Sequence, residues 1–445
     1  MPAPAQPWWR TLTREHWFVF NVASLAWLFD CLDSQLFNLA RGGAIVQLVG
    51  PQRAAEYGSY TMSFFLLGWA VGGFVFGPLG DRFGRARMLT YSVLIYSVCT
   101  GLSSLSTGFL DFSVYRFITG CGVGGVFGLS VALIADSLPD KARPPTLGLF
   151  QSLSTWGNIV AAFIGMGIGA LSARALLPLG LKDWQVMFLI GALPALLCVL
   201  ILRRLKEPEK WHQARAAGIK SGVQLGSYAE LLGAKPWGRN AWLGVVMCCA
   251  GVVGLWGLGN FHPQIIGSIV TTHLTASGVA LESLPSARSY WSSVGLLLQN
   301  VGGFAGMMTL SWVAQVRGRR IAYAIAITLS FLSTVLVFKY LREFSQIFWM
   351  LPLMGFGQLS VFAVYAIYLP ELFPTRLRST GTSFCYNSGR IIAATAPFTI
   401  GVITKNLGGD IEAFRTAGLC VSLVLLTGLL AIPFLPETKD RPLPE

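Results

Sequence analysis

Asp30 and Asp33 lie three residues apart in a stretch of the chain that is otherwise almost entirely apolar. On a helix, this spacing places both carboxyl groups on one side, where mutual repulsion and the loss of water favour the retention of a proton by one of them. A carboxyl group that binds and releases a proton within a membrane is what a proton-coupled carrier requires. We therefore predict that at least one of the pair carries a proton. The alternative is that one of them only forms an ion pair with Arg116.

Two arginines supply the complementary charge. Arg390 lies inside an apolar segment, and Arg116 lies near one end of another. A guanidinium group keeps its charge at physiological pH, so in a membrane it must be paired or bind an anion, and its planar fork matches a carboxylate. Both are predicted to contact an anionic substrate, with a structural ion pair as the alternative for each. Gln151, Gln358 and Asn387 are the neutral candidates for lining the substrate cavity.

The composition shows why charges at these positions are informative. Of 445 residues, 53% are hydrophobic and 12% are charged, and the mean hydropathy is +0.60. A protein of this size that is exposed to water needs more charged residues on its surface than this chain has. We therefore predict that lipid surrounds it. Twelve stretches are long and apolar enough to span a bilayer as helices, and they lack the alternation of membrane β-strands. They are, in order, 17–38, 58–79, 88–107, 112–136, 146–170, 184–203, 240–262, 289–314, 321–341, 346–369, 381–403 and 413–435.

The positive charges indicate the orientation of the chain. The formal net charge is +13, but most lysines and arginines fall in loops on the side of the N-terminus, which is the pattern of cytoplasmic loops and not of a nucleic-acid surface. Both termini are therefore predicted to be cytoplasmic, in the cell (inner or plasma) membrane. The longest polar stretch, 204–239, is predicted to be a solvated linker that faces lipid headgroups, and the alternative is a binding site for a partner protein.

Two charged segments occur twice in the chain. The sequence GPLGDRFGRAR at 77–87 has a weaker copy, SWVAQVRGRR, at 311–320. Likewise, 136–143 begins with Asp-Ser-Leu-Pro and ends with Arg, and 371–378 begins with Glu-Leu-Phe-Pro and ends with Arg. Because each copy lies between predicted spans, the repeated unit is a set of membrane helices.

These paired segments resemble those of the major facilitator superfamily of transporters. The first turn looks like the signature loop between helices 2 and 3 of that superfamily, and its copy has Gln315 in place of Asp81. The resemblance implies an all-α integral membrane protein with twelve transmembrane helices in two six-helix halves. The halves are predicted at 1–203 and 240–445, joined by the linker at 204–239.

In transporters of this kind, charged residues of the repeated segments hold the cytoplasmic side closed. The resemblance implies that this gating role belongs to six residues. They are Asp81, Arg85, Asp136 and Arg143 in the first half, and Glu371 and Arg378 in the second.

Two further segments resemble a narrower group within the superfamily. The pair Asp30 and Asp33 looks like the Asp-x-x-Asp of the first helix in proton symporters for aromatic acids and for sialate and lactate, and 385–390 is similar to helix 11 of the same symporters. The resemblance therefore implies a metabolite:proton symporter. The tail at 436–439, in contrast, is shared with sugar porters.

The expectation from the sequence is a secondary active transporter that imports a small organic anion, a carboxylate, together with a proton by alternating access. The alternatives are a transporter of sugars or other neutral solutes, and a solute sensor that does not transport. An enzyme is not expected, because the sequence shows no nucleophile arrangement, metal cluster or phosphate-binding loop. No cofactor is predicted. The expected partners are the small-molecule substrate, protons and membrane lipid, with no nucleic acid, and we expect a monomer.

Overall fold

The computed structural model describes residues 7–174, 176–177, 180–194, 204–258, 262–278 and 284–444, and the regular structure in these ranges is helical. The main helices are α1 (Arg14–Val49), α2 (Ala54–Phe83), α3 (Arg85–Ser103), α4 (Phe109–Ser137), α5 (Arg143–Ala173), α6 (Asp183–Gly191), α7 (Glu209–Ser221), α8 (Tyr228–Gly233), α9 (Trp237–Val252), α10 (His262–Ala276), α11 (Leu284–Arg317), α12 (Arg319–Tyr340), α13 (Ile347–Tyr368), α14 (Arg378–Ala393), α15 (Ala396–Asn406), α16 (Ile411–Ser422) and α17 (Val424–Ala431). Short 3₁₀ turns at Leu369–Leu372 and Thr375–Leu377 connect α13 to α14.

Eight helical segments in the described ranges are long and apolar enough to cross a membrane, which confirms a multi-pass membrane protein. The other four predicted spans correspond to α1, α3, α6 and α14 with α15. Of these, α1 carries buried charges, α14 and α15 are separate short helices, and the end of the sixth predicted span, 195–203, lies outside the described residues. The total of twelve spans and the cytoplasmic termini therefore stay predictions.

The chain forms two compact units. The first contains residues 1–242, 366–387 and 440–445, and the second contains residues 243–365 and 388–439. The first unit thus includes the connection between α13 and α14, a segment of the predicted second half.

In the first unit, glycines allow α2 and α4 to pack backbone against backbone. A Cβ atom added at Gly68 or Gly72 would overlap the backbone of α4, and one added at Gly120 or Gly124 would overlap the backbone of α2. Small residues at four-residue spacing are the usual means of close helix association in lipid, where the hydrophobic effect does not drive helices together. This close contact holds α4, with its buried charges, firmly against α2.

The second unit uses the same device between α11 and α13. A Cβ atom at Gly302 or Gly306 would overlap the backbone carbonyls of Pro352 or Phe356. In the same unit, α12 packs against α16 and α17.

Two equivalent helices start from a glycine in the left-handed region. Gly84 precedes α3 with φ of 108°, and Gly318 precedes α12 with φ of 105°. Residues with a side chain rarely adopt this backbone conformation. Each sharp turn leaves the first N–H groups of the next helix open to an acceptor from elsewhere in its unit.

Candidate functional site

Asp33 and Arg116 form a completely buried ion pair within the first unit. The exposed fraction of both side chains is 0%, and Arg116 Nη1 lies 4.0 Å from Asp33 Oδ2. The other carboxylate oxygen of Asp33 accepts a hydrogen bond of 2.8 Å from Thr100 Oγ1. Arg116 also donates to the hydroxyl groups of Ser103, Thr100 and Thr119, each at 3.0 Å. Buried charges require such partners, because desolvation without them is costly.

Aromatic rings complete the surroundings of Arg116. Its guanidinium carbon lies 5.4 Å from the ring centre of Phe37 and 4.7 Å from that of Phe188. Cation–π contacts of this kind stabilise a desolvated guanidinium. These contacts are compatible with a structural ion pair, and the contact of Arg116 with an anionic substrate stays a prediction.

Asp30 lies about one turn before Asp33 on α1, and its exposed fraction is also 0%. The structure thus confirms that both predicted carboxyl groups are buried. Asp33 is held by Arg116 and Thr100.

A column of aromatic side chains runs through the first unit near these carboxyl groups. Trp27 stacks on Phe150 with 6.0 Å between ring centres and lies 5.2 Å from Phe127, which in turn stacks on Tyr386 at 4.1 Å. Within the part of the chain that the structure describes, the buried Trp27 Nε1 and Gln151 Oε1 atoms have no hydrogen-bond partner. The column therefore combines a flat apolar surface with the N–H donor of Trp27, which the described residues leave unused.

Two of the predicted neutral residues have protein partners instead. Asn387 donates to the backbone carbonyl of Ser383 at 2.8 Å and packs against Gly73 of α2. In the second unit, Gln358 donates to Thr334 Oγ1 at 2.8 Å and accepts from Gln299 Nε2 at 3.3 Å. Gln358 thus connects three helices, which favours a packing role over a cavity-lining one.

Arg390 belongs to the second unit. It lies on α14, its side chain is 3% exposed, and the neighbouring Gly389 packs against the backbone of Cys248 on α9. The prediction that this arginine is buried is therefore confirmed.

A cluster of buried charges in the first unit contains the residues of the repeated segments. Both oxygens of the Asp136 carboxylate are used, since Oδ2 pairs with Arg85 and Oδ1 pairs with Arg378. Arg85 also contacts Asp81 at 3.2 Å and donates to the carbonyl of Thr375 at 2.6 Å. These four charged side chains have exposed fractions of 0–4%.

Asp81 fixes the start of α14. Its Oδ2 atom accepts hydrogen bonds from the backbone N–H and the hydroxyl of Thr380, at 2.8 and 2.7 Å, and Oδ1 accepts from the Ser379 N–H at 3.2 Å. A carboxylate at a helix N-terminus is stabilised by the open N–H groups and by the helix dipole. The segment 366–387 is therefore held to α2 and α4 by charged hydrogen bonds.

The ion pairs cross between the two copies of the repeated segment. Asp136 pairs with Arg378, and Glu371 lies 3.9 Å from Arg143. Arg143 also pairs with Asp140 at 2.6 Å. The first acid of each copy thus faces the last arginine of the other, which is the reciprocal arrangement expected of two related segments that meet around a pseudo-twofold axis.

The weaker copy of the turn makes a different contact. Gln315, which replaces Asp81, donates to the carbonyl of Ser311 within its own helix at 3.1 Å. The second copy of the turn therefore lacks the carboxylate of Asp81 and, with it, the acceptor that Asp81 provides for a distant segment of the chain.

Two functional candidates were missed in the sequence. The Glu207 carboxylate accepts from the N–H groups of Arg85 and Arg87 at 2.7 and 3.1 Å, and so caps α3. In the second unit, Glu437 caps α12 by accepting from Arg319 and Arg320 at 3.0 and 3.1 Å. The similarity of Leu-Lys-Glu at 205–207 to Leu-Pro-Glu at 435–437 is the signal that could have identified them.

Glu437 lies outside the membrane-spanning segments, and its environment favours the charged form. Burial opposes its ionisation, but hydrogen bonds from the backbone N–H groups of Arg319, Lys439, Arg320 and Thr438 outweigh this effect and lower its pKa. The cap is therefore a carboxylate at neutral pH.

A cavity of about 870 Å³ lies beside the charge cluster. It is bounded by α7, by Thr375 and Arg376, and by the tail residues 442–444, and Arg376 pairs with Glu230 at 2.8 Å. None of the predicted substrate-binding or proton-binding residues lines it, so it is separate from the buried residues of α1.

Solved structures show the same fold. A proton:xylose symporter bound to 6-bromo-6-deoxy-D-glucose superimposes with a TM-score of 0.73 at 19% identity, over 96% of this chain and 97% of that one. The fold is therefore that of the major facilitator superfamily of membrane transporters.

Sequence comparison gives the family. Residues 36–218 and 343–445 match the family described as "Sugar (and other) transporter". The chain is also similar to the cis,cis-muconate transport protein of Acinetobacter baylyi, with 30% identity over 95% of both chains, and to a sialic acid transporter of Escherichia coli, with 25% identity over 80% of this chain and 81% of that one. The protein belongs to the sugar (and other) transporter family of the major facilitator superfamily, and it is a transporter and not an enzyme, as the sequence predicted.

Proposed function

We propose that this protein is a symporter that imports a small organic acid with a proton across the cell membrane. The observation that carries the proposal is the pair of fully buried carboxyl groups on α1, Asp30 and Asp33, in a helix where each unpartnered charge is costly. The similarity to proteins named for the transport of muconate and sialic acid, both of which are carboxylic acids, supports an acid as the substrate.

The two carboxyl groups take different parts in the proposed mechanism. The contacts of Asp33 with Arg116 and Thr100 stabilise its charged form, so its protonation would release Arg116 from its partner. Asp30 lies on the same side of α1, and its charge repels that of Asp33. When Asp30 or Asp33 binds a proton, one negative charge beside α1 is removed. In the proposed mechanism this happens at the step in which the substrate binds.

Arg390 is the proposed counter-charge for the substrate. It is a buried guanidinium on α14, and its planar fork matches a carboxylate in bidentate geometry. The aromatic column of Trp27, Phe127 and Tyr386 favours flat, unsaturated acids, because these bury their apolar faces against aromatic rings.

Coupling follows from the cost of isolated charge. The empty transporter and the transporter loaded with both acid and proton carry balanced charges, whereas a half-loaded transporter leaves one charge buried without compensation. That penalty prevents closure of the half-loaded form and so prevents a leak of protons or acid.

The charge cluster of Asp81, Arg85, Asp136, Arg143, Glu371 and Arg378 is the proposed gate on the predicted cytoplasmic side. Its crossed ion pairs support this proposal, because they join α4 and the start of α5 to the segment 366–387 and must break for that side to open.

The test is the external pH of proteoliposomes that contain the purified protein during the addition of muconate, nicotinate, benzoate, lactate, sialate, xylose or glucose. Alkalinisation with one class of acid, abolished by an uncoupler and absent from empty liposomes, is the expected result. Arg390→Ala should abolish uptake of that acid while the protein stays folded in the membrane. Arg342→Ala is the matched control, because Arg342 forms an exposed ion pair with Glu412.

Either of two results would contradict the proposal. If Arg390→Ala transports the acid with the wild-type KM, Arg390 does not bind substrate. If no acid changes the pH and labelled sugar exchanges in counterflow, the protein is a carrier of neutral solutes, which the family description also includes.

A further inference from the structure

Arg41 is an arginine of α1 that the proposed function does not use. It lies just beyond the first predicted span, it is half-buried, and its guanidinium carbon lies 5.9 Å from the ring centre of Phe37. Among the described residues, it makes no hydrogen bond or ion pair. A half-buried guanidinium with only an aromatic contact still has five N–H donors available for an anion.

The charge around Phe37 is not balanced within the described chain. Arg116 lies against the same ring, at 5.4 Å, and Asp33 compensates the charge of Arg116. The charge of Arg41 is therefore in surplus at this end of α1. A surplus positive charge between apolar walls attracts anions more strongly than an exposed arginine does.

The helical geometry connects Arg41 to the proposed transport residues. At 100° per residue, Arg41, Ser34, Asp30 and Trp27 lie within about 60° of one another around α1, and Arg41 is about 16 Å from Asp30 along the helix axis. Between them, the buried Ser34 hydroxyl has no hydrogen-bond partner in the part of the chain that the structure describes. One face of α1 thus carries a cation, then a free hydroxyl, then a carboxyl group.

We propose that Arg41 is an entry site that binds the carboxylate of the substrate at the predicted outer end of α1, before the substrate reaches Arg390, and that the Ser34 hydroxyl is its next hydrogen-bond donor. This inference rests on the proposed function, since it takes an organic carboxylate as the ligand. The proposed role of Arg41 is to raise the local concentration of the acid at the predicted outer end of α1. Arg41 therefore affects the affinity for the acid more than the rate of translocation.

The experiment measures uptake of the labelled acid that gave the largest alkalinisation, by wild-type protein and by Arg41→Gln and Arg41→Lys variants in liposomes. Arg41→Gln should raise KM about tenfold while Vmax stays within about twofold, and Arg41→Lys should recover part of the loss. The wild-type KM should rise between about 20 mM and about 300 mM salt, and that dependence should be weaker in Arg41→Gln. Arg53→Gln is the matched control, because Arg53 also lies over an aromatic ring, Tyr57 at 4.4 Å, but is exposed.

Each of the other results would overturn the entry site. An unchanged KM in Arg41→Gln, or a lower Vmax with unchanged KM, would leave Arg41 with a packing role only. Loss of the difference between wild type and Arg41→Gln in purely zwitterionic lipid would assign Arg41 to an anionic lipid headgroup. If the wild-type protein carries no acid at all, the proposed function fails and the entry site fails with it, whereas acid uptake that is equal in both proteins removes only the entry site.

Discussion

The buried charges differ in how much of their compensation comes from the protein itself. Arg116 is held by one carboxylate, three hydroxyl groups and two aromatic rings, all within the first unit. Arg41 has one aromatic ring. A fully compensated charge has little affinity left for a ligand, and so the two arginines of this region are suited to different tasks.

The two aspartates of α1 should therefore respond differently to neutralisation. Asp33→Asn removes the carboxylate of a buried ion pair and should destabilise the folded protein by about 3 kcal/mol, because Arg116 is left without its counter-charge. Asp30→Asn should abolish proton-coupled uptake, because it removes one of the two carboxyl groups proposed to bind the proton. Thermal unfolding in detergent and acid-driven alkalinisation in liposomes measure the two effects.

The double variant Asp33→Asn with Arg116→Gln serves as the control, since it removes both charges together and should regain much of the lost stability. Proton-coupled uptake that persists in Asp30→Asn, or an unchanged stability of Asp33→Asn, would contradict these roles.

The sequence predicted that these charges are buried, because an ionisable residue in an apolar span has no access to water. It offered an ion pair with Arg116 only as an alternative and did not say which aspartate forms it, and it did not predict the contact with Thr100. The three residues are on three different helices, and their pairing depends on helix packing. For the same reason, the packing role of Gln358 could not be distinguished from a cavity-lining role before the structure was known.

At the level of helices, the two glycine turns and their caps determine where α3 and α12 begin. Gly84 and Gly318 reverse the chain, and Glu207 and Glu437 accept the N–H groups that the turns leave open. The glycines could be predicted from the repeated turn. The caps could not, because each glutamate comes from a segment far along the chain and only the structure brings it to the helix.

Gly84→Ala should destabilise the protein by about 1–3 kcal/mol. The new methyl group would force a residue with a side chain into the left-handed region and would overlap the Glu207 carboxylate, so that the cap of α3 is displaced. Gly58→Ala in α2 is the control, since a Cβ atom there has no neighbour within 4 Å and alanine favours a helix. Equal unfolding temperatures for the two variants would show that the turn and the cap tolerate a side chain.

For the molecule as a whole, the crossed ion pairs form the proposed barrier on the predicted cytoplasmic side. The duplication predicted that the segments 136–143 and 371–378 are equivalent. The duplication did not predict the exchange of ion-pair partners. Two equivalent segments could each form an ion pair between their own acid and arginine, or each acid could pair with the arginine of the other segment. In the structure the exchanged pairs tie the segment 366–387 to α4 and to the start of α5, and Asp81 ties it to α2.

Asp136→Asn should open this barrier. Without the shared carboxylate, Arg378 loses its ion pair and Arg85 keeps only the one with Asp81, so the closed arrangement loses about 3 kcal/mol or more. The measurement is the rate at which an impermeant maleimide modifies Ser383→Cys, in a background without the native cysteines. Ser383 is fully buried against Gly77 and Gly128, so its modification reports the separation of α14 from α2 and α4. We expect the rate to rise at least about tenfold.

Glu412→Gln in the same background is the control, because its ion pair with Arg342 is exposed. A wild-type labelling rate in Asp136→Asn would show that the cluster does not keep this side closed.

The dryness of this cluster has a consequence for the energetics of transport. Each of its charges now relies on protein groups, so the open form must take up water to solvate the same carboxylates and guanidinium groups. Water is then a co-reactant of the opening step, consumed when the barrier separates and released when it closes. The rate of the cycle should therefore depend on the activity of water, and a solute that is excluded from the opening would slow the transporter osmotically without binding to it.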